Sequence, residues 1–176
     1  PWVEINNRGI KIEKPGFYPF RMKWDGETRF TLTLPMPVSI VPRPNNLYAV
    51  TRGPLVYSLP IEEEWVQINQ YIKGREFPHC DYQVLPKSPW SYGLCIDKDN
   101  LEDSLKVEEL PLGDCPFSPQ GAPVAIRLKG RKIDWEMERG AATPAPRMDW
   151  VSEKQEELRL IPYGCTNLRM TEMPLV

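Results

Sequence analysis

Apolar and polar residues alternate along most of this chain, in short runs that end at turn residues. In residues 28–34, Phe30, Leu32 and Leu34 fall on one face and threonines fall on the other. This period of two is typical of a strand with one buried face. We count about ten to twelve such runs, spaced about 8–12 residues apart, which is the pattern of an antiparallel sandwich or barrel.

Some of these runs predict particular strand arrangements. Residues 17–24 and 28–34 are expected to pair as a hairpin around 24–27, where an Asp-Gly dipeptide favours a tight turn. Prolines surround residues 38–41, so this segment is at best an edge strand. Residues 54–59 are apolar on both faces, as expected of a strand that is buried on both sides.

One segment has a helical pattern. In residues 61–75, acidic residues stand near the start and an apolar stripe follows at helical spacing, although the segment fits an irregular excursion equally well. Residues 140–150 are predicted to be loop. The sequence therefore predicts an all-β fold, an antiparallel, jelly-roll-like β-sandwich with at most one short helix. We expect residues 1–176 to form one region, with any internal boundary near residues 60–80.

Composition excludes several classes of protein. Proline accounts for 20 of 176 residues, which disfavours a helical fold because proline breaks helices. The formal net charge is −2 and there is no basic block, so neither nucleic acid nor an anionic membrane is expected as a partner.

The chain begins Pro-Trp-Val-Glu without a methionine or a signal peptide, so we expect a piece of a longer polypeptide. A bacterial cytoplasmic or periplasmic localisation stays open.

Cysteine and histidine offer little for catalysis. No two cysteines have the spacing of a CxxC motif, and we expect mostly free, buried thiols that pack as small hydrophobes. The single histidine precedes a cysteine, but adjacent side chains rarely point at one site. These residues are His79, Cys80, Cys95, Cys115 and Cys165. No metal site or cofactor is expected in this segment.

Carboxylates are the remaining candidates for hydrolysis. No phosphate-binding loop, GxSxG elbow, HExxH helix or GxGxxG turn is present. Hydrolysis of a glycosidic bond usually requires two carboxylates in one cleft. The candidates are Glu62, Glu63, Glu64, Asp81 and Glu172. The run 62–64 is more simply a solvated face, and no catalytic residue is assigned.

Tryptophan and tyrosine are candidates for contact with sugar or with another domain. Trp90 and Tyr92 lie two residues apart in a proline-flanked segment, so we expect both to face the same way. Trp65 lies in the segment with the helical pattern. Exposed aromatic rings can stack on sugars, whereas a tryptophan in an all-β domain more often packs in a core or between domains.

Four stretches of the chain resemble a known family. They are PGFY at 15–18 with WDGE and LTLPM downstream, RGPLVYSL at 52–59, SPWSYGL at 88–94 and LIPYGCTNLRMTE at 160–172. Together they resemble the C-terminal β-sandwich region of glycoside hydrolase family 127, also known as domain of unknown function 1680. That family is typified by β-L-arabinofuranosidases.

The resemblance implies an accessory role. The family's catalysis is attributed to an (α/α)6-barrel, in which a zinc-held cysteine is the nucleophile and a glutamate is the acid/base. This chain lacks the adjacent cysteine pair of that zinc site, so no catalytic or metal residue is carried over, and zinc would belong to the absent catalytic domain. The implied function is a non-catalytic domain that packs on the helical barrel of the same polypeptide, with Trp90, Tyr92 or Trp65 at the contact.

Two alternatives remain open. An independent carbohydrate-binding module would present an aromatic platform to a plant-type oligosaccharide. A self-sufficient small hydrolase would need two carboxylates roughly 5–10 Å apart in a cleft.

Overall fold

The computed structural model describes residues 2–5, 8–21, 23 and 25–176. The chain divides into two compact units, residues 1–37 and 38–176. This division falls earlier than the boundary expected near residues 60–80. The described residues confirm the all-β class, because their only α-helix is the single turn Leu101–Ser104 (α1).

Sixteen strands are present among the described residues, more than the ten to twelve predicted, because several are two- or three-residue pairings. The strands are β1 (Trp2–Ile5), β2 (Arg8–Lys11), β3 (Phe30–Thr33), β4 (Val38–Pro42), β5 (Leu47–Arg52), β6 (Leu55–Pro60), β7 (Glu63–Ile68), β8 (Asp81–Pro86), β9 (Tyr92–Leu94), β10 (Leu105–Glu109), β11 (Val124–Asp134), β12 (Met137–Glu138), β13 (Ala141–Ala142), β14 (Arg147–Pro162), β15 (Arg169–Met170) and β16 (Glu172–Pro174).

The first unit is a three-stranded antiparallel sheet in the order β2-β1-β3. The hairpin predicted for residues 17–34 is wrong, because β3 pairs with β1 and the described residues between 17 and 25 form no strand. Pro19 removes one backbone donor from that segment, and Met22 and Trp24 lie outside the described residues. The face predicted to be buried is exposed, by 59% for both Leu32 and Leu34.

The second unit is built on a nine-stranded sheet. Its main path is β10-β11-β14-β6-β5-β16, while β4, β9 and β15 add to β5, β11 and β6 respectively. Among the described strands, β4 pairs with β5 alone, as expected for an edge strand. In β6, residues 57–59 are buried whereas Val56 is 38% exposed, so the prediction that this strand is covered on both sides holds for its centre.

The core of the second unit lies on this sheet. Its largest buried members come from six strands: Val50, Tyr57, Leu94, Ile126, Leu160 and Met173. The last strand, β16, pairs with β5 and buries Met173 completely. Beyond it, Leu175 bridges Leu94, and the Val176 amide donates to the Leu94 carbonyl at 3.0 Å. The C-terminal residues are therefore part of the core structure.

Three local predictions are corrected in this unit. Residues 61–75 contain strand β7 instead of a helix, because β8 supplies a complete antiparallel partner. Residues 140–150 are not loop throughout, since β13 and the start of β14 lie within them. The alternating runs 124–130 and 132–137 predict two separate strands, but residues 124–134 form one strand, β11, with register irregularities between Arg131 and Asp134.

Candidate functional site

The hairpin formed by β7 and β8 carries exposed aromatic residues. The strands pair over six residues, with Trp65 opposite Val84 and Gln67 opposite Tyr82. Paired residues of an antiparallel ladder share a face, so Trp65 and Tyr82 lie on the same side of the hairpin. Their ring centroids are 5.7 Å apart with an interplanar angle of 72°, an edge-to-face contact. The two side chains remain 53% and 45% exposed.

Apolar side chains are exposed on both faces of this hairpin and in the turn that joins its strands. The exposed set, called here the hairpin surface, is Trp65, Val66, Ile68, Tyr71, Ile72, Phe77, Tyr82 and Leu85. Clusters of large exposed apolar residues usually mark interaction sites in stable proteins. The hairpin is thus a candidate contact surface.

Glu63 fastens the base of the hairpin to the segment before β15. Its carboxylate accepts hydrogen bonds from the Leu168 backbone amide at 2.9 Å, the Asn167 side-chain amide at 3.3 Å and the Trp65 indole at 3.0 Å. Burial favours the neutral acid, but these hydrogen bonds outweigh it and lower the pKa of Glu63. Close by, the Ile61 amide donates to the Leu168 carbonyl at 3.1 Å. These hydrogen bonds therefore hold the base of the hairpin in place.

Trp90 lies between β8 and β9 and is half-buried. Its ring packs on Trp135 with centroids 6.1 Å apart, in a cluster with Leu47 and Ile133. The Trp135 indole is held by a hydrogen bond to the Thr143 carbonyl at 2.8 Å. Part of Trp90 thus supports a local core, as a structural role for this residue would require.

A cavity of about 490 Å³, called here the Trp90 cavity, opens beside this tryptophan. Its walls come from β8, the β12–β13 turn and residues 168–170. The polar side chains on the walls are Gln83, Arg139 and Arg169. Arg139 and Gly140 form the two-residue β12–β13 turn with φ of 52° and 82°, the signature of a type I′ turn. This turn holds Arg139 at the cavity.

Tyr92 differs from the other two candidate aromatics. It is 5% exposed in the main core, and its hydroxyl donates to the Glu156 carboxylate at 2.8 Å. Burial and this carboxylate raise the pKa of Tyr92, and the same hydrogen bond, helped by Lys132, lowers the pKa of Glu156. Tyr92 and Trp90 do not form a joint platform, because the Tyr92 ring has no face free for a sugar or a domain.

Three of the five candidate carboxylates are held in structural contacts. Asp81 pairs with Arg75 at 3.0 Å and accepts from Asn69 at 3.0 Å. Glu172 pairs with Arg43 at 2.6 Å. Glu63 accepts the three hydrogen bonds described above, and the other two candidates, 62 and 64, are exposed. None of the five lines the Trp90 cavity.

The four cysteines are free thiols, as predicted, but their burial differs from the prediction. Only Cys165 is buried, Cys80 and Cys95 are half-buried, and Cys115 is exposed. Burial raises the pKa of the Cys165 thiol. His79 is exposed. In the part of the chain that the structure describes, no three His, Cys, Asp or Glu residues lie together as a metal site would require.

Sequence reasoning missed most residues of the hairpin surface and of the Trp90 cavity, including Tyr82, Gln83, Arg139 and Arg169. Tyr82 and Gln83 alternate along β8, so that strand was visible, but its partner was assigned to a helix. Arg139 directly precedes residues 140–150, which were predicted to be loop, and Arg-Gly is not one of the dipeptides that usually mark a hairpin turn. No helix among the described residues is long and apolar enough to cross a membrane.

Comparison with known proteins gives one informative similarity. No protein-family profile and no curated protein matches the chain. Among solved structures, the chain is similar to a protein described as "Glycoside hydrolase", with a TM-score of 0.53 and 19% sequence identity. The similarity covers 99% of this chain and 26% of that protein. The chain thus has the fold of about a quarter of a glycoside hydrolase.

Proposed function

We propose that this chain is a non-catalytic β-sandwich domain of a glycoside hydrolase. The observation that carries the proposal is the similarity of fold, which spans the whole chain but only 26% of the glycoside hydrolase. The candidate carboxylates add support, because Glu63, Asp81 and Glu172 are all committed to structural contacts. Chemistry would then reside in another part of the polypeptide.

The partner that we propose is a helical-barrel catalytic domain of the same polypeptide. The hairpin surface supports this proposal, because Trp65 and its apolar neighbours are exposed on a rigidly anchored element. Contacts between domains of one chain typically bury about 600–1,500 Å². The hairpin surface offers an apolar centre for such a contact.

The finer assignment rests on the sequence resemblance. A β-L-arabinofuranoside would be the substrate, and zinc would be bound in the catalytic domain. Selectivity for sugar and linkage would reside in that domain. The present chain would stabilise the barrel and border its pocket.

Assays on the present chain and on the natural polypeptide test this function. We expect residues 1–176 to leave an aryl β-L-arabinofuranoside intact, and we expect the natural polypeptide to include a helical domain and to hydrolyse it. Hydrolysis by residues 1–176 alone would favour the small-hydrolase alternative. A natural polypeptide without a helical domain would overturn the proposal.

Substitution of the hairpin surface tests the contact. Trp65→Ser in the natural polypeptide is expected to lower the melting temperature of the helical domain, whereas the same change in residues 1–176 has little effect. Leu112→Ser is the matched control, because Leu112 is 75% exposed in a loop outside the hairpin. Equal effects of the two substitutions would show that the hairpin surface is not the interface.

A carbohydrate-binding module is the second candidate. The exposed pair Trp65–Tyr82 favours it, since aromatic rings on a sheet can stack on sugar rings. Titration of residues 1–176 with arabinan-type oligosaccharides is the test. Saturable heat that Trp65→Ser removes would support the module, and no heat would exclude it.

A further inference from the structure

The Trp90 cavity has the size of a small-molecule site. Its volume of about 490 Å³ lies within the range of roughly 300–1,000 Å³ that such sites usually have. Trp90 and Met170 contribute apolar surface, and Gln83 contributes an amide. All of its lining residues belong to the second unit.

The charge of this cavity is one-sided. Two arginines, Arg139 and Arg169, line it, and none of its lining residues is an aspartate or glutamate. The whole chain has a net charge of −2, so a cationic cavity is not a general property of its surface. Arg139 has only a loose ion pair, 3.9 Å from Glu138, and its side chain is 92% exposed. An anionic ligand would be complementary to this lining.

Arg169 is held in place before any ligand binds. Its Nη1 donates to the carbonyl of Thr166 and to that of Asn167, the latter at 2.9 Å, and its guanidinium stacks on Tyr163 at 3.5 Å. A guanidinium has five N–H donors. Within the described residues, the three donors on Nε and Nη2 have no acceptor. Such a pair of nitrogens is the fork that binds a carboxylate in a bidentate manner.

We propose that the Trp90 cavity binds a uronate residue of an acidic oligosaccharide, with the sugar ring against Trp90 and the carboxylate on Arg169. Arg139 adds a second positive charge at the rim, and Gln83 supplies a donor and an acceptor for ring hydroxyls. The cavity shares Leu85 of β8 with the hairpin surface. Binding to residues 1–176 alone tests it, so the test does not depend on the proposed contact with a catalytic domain.

Binding of digalacturonate to residues 1–176 tests the proposal. We expect saturable shifts of the Trp90 indole N–H in two-dimensional NMR spectra. Neutral digalactose, which lacks the carboxylate, is expected to bind about tenfold more weakly. Binding is also expected to weaken as NaCl is raised, because the ligand is held by charge. Equal binding of the neutral disaccharide, or no shift with digalacturonate, would overturn the proposal.

Two variants locate the site. Arg139→Asn removes the charge but suits the type I′ turn, and Arg169→Lys keeps the charge but loses the fork. Both are expected to weaken digalacturonate binding several-fold with an unchanged fold, as judged by the remaining NMR signals. Arg29→Asn is the control, because Arg29 is an exposed arginine that pairs with one nearby glutamate, Glu27, as Arg139 does with Glu138.

The outcomes separate a uronate site from non-specific attraction of anions and from a site for aromatic acids. Equal weakening by Arg29→Asn would mean non-specific attraction of the anion and would overturn the proposal. Benzoate binding as tightly as digalacturonate would mean a site for aromatic acids, which would overturn the sugar assignment. Activity of the natural polypeptide is not part of this test, so failure here is distinguishable from failure of the proposed function.

Discussion

Glu63 shows how one side chain can join parts of the chain that are distant in sequence. Its carboxylate binds the backbone of Leu168, 105 residues away, and the side chain of Asn167. From sequence alone it was one of three consecutive glutamates, and the run was most simply a solvated face. Glu63 and Glu64 differ because successive residues of β7 lie on opposite faces, so that Glu63 points inward and Glu64 outward. The sequence did not show this difference, because the apolar residues of the same segment have helical spacing.

Glu63→Gln is expected to destabilise the domain at neutral pH by about 1–3 kcal/mol, the cost of weakening hydrogen bonds to a partly buried carboxylate. Because the folded protein lowers the pKa of Glu63, its carboxylate stabilises the fold above the pKa of an unfolded glutamate, about 4.3. That contribution is lost as pH falls through the lower, folded pKa. Urea unfolding between pH 2 and 7 measures both effects.

Glu64→Gln is the control for this prediction, because Glu64 is exposed on the opposite face of the same strand. Its stability should match that of the parent protein across the pH range. If the two variants have the same pH profile, the carboxylate of Glu63 does not fasten the hairpin.

Replacing either of two buried tyrosines with phenylalanine is expected to have different effects on stability. Tyr57 is fully buried, and its hydroxyl makes no hydrogen bond of normal geometry among the described residues. Burial raises the pKa of Tyr57, although Arg52 is near enough to oppose the rise. Tyr92→Phe loses a hydrogen bond to a carboxylate and should cost about 1.5–3 kcal/mol, whereas Tyr57→Phe should be neutral or stabilising. Denaturant midpoints check both; a large loss for Tyr57→Phe would indicate a hydrogen bond to Arg52.

At the scale of elements, pairing between strands that are distant in sequence determines whether a segment with an ambiguous local pattern forms a helix or a strand. Ile61, Trp65 and Ile68 have helical spacing, yet residues 63–68 form a strand because β8, which begins at Asp81, completes the ladder. The all-β class, the edge strand β4 and most strands of the main sheet were predictable from alternation and proline placement. The partner of β3 and the Trp90 cavity were not, because both bring together segments that no local pattern connects.

The close packing of β11 between β9 and β14 depends on a glycine. Gly130 pairs with Leu94 on one side and Glu156 on the other. A Cβ at this position would lie 2.4 Å from the Leu158 side chain and 3.0 Å from the Gly93 carbonyl. Gly130→Ala is therefore expected to destabilise the domain by about 1–3 kcal/mol through overpacking. Thermal unfolding checks this value.

Gly113→Ala is the matched substitution, because nothing lies within 4 Å of a Cβ built at Gly113 and its φ is not positive. This variant should unfold at the parent temperature or slightly above it. A similar loss in both variants would show that the loss at Gly130 does not come from steric crowding in the sheet.

At the scale of the whole molecule, the two units differ in how much they bury. The three apolar core clusters consist entirely of residues from the second unit. In the first unit, none of the residues whose burial is described (3, 9–21, 23 and 25–37) is buried. A three-stranded sheet needs a buried apolar face to be stable by itself. The sequence pattern suggested such a face through Phe30, Leu32 and Leu34, but burial is a property of the assembled structure and cannot be derived from alternation alone.

Residues 38–176 are expected to fold without the first unit. Their melting temperature should lie within about 5 °C of that of residues 1–176, because their core is self-contained. Residues 1–37 alone should be unfolded. Circular dichroism with thermal melting of the three polypeptides checks this expectation. A 38–176 fragment without a cooperative transition would show that the first unit is needed for folding.

The position of β16 also bears on how the protein is made. β5, near the start of the second unit, has β16 as a neighbour, and Met173 of β16 lies in the core. At about 5–20 residues per second, a ribosome needs on the order of ten seconds to pass from one strand to the other. During that time β5 and β6 carry apolar residues without their final cover. Until β16 emerges, the nascent chain therefore exposes apolar surface of the kind that chaperones bind.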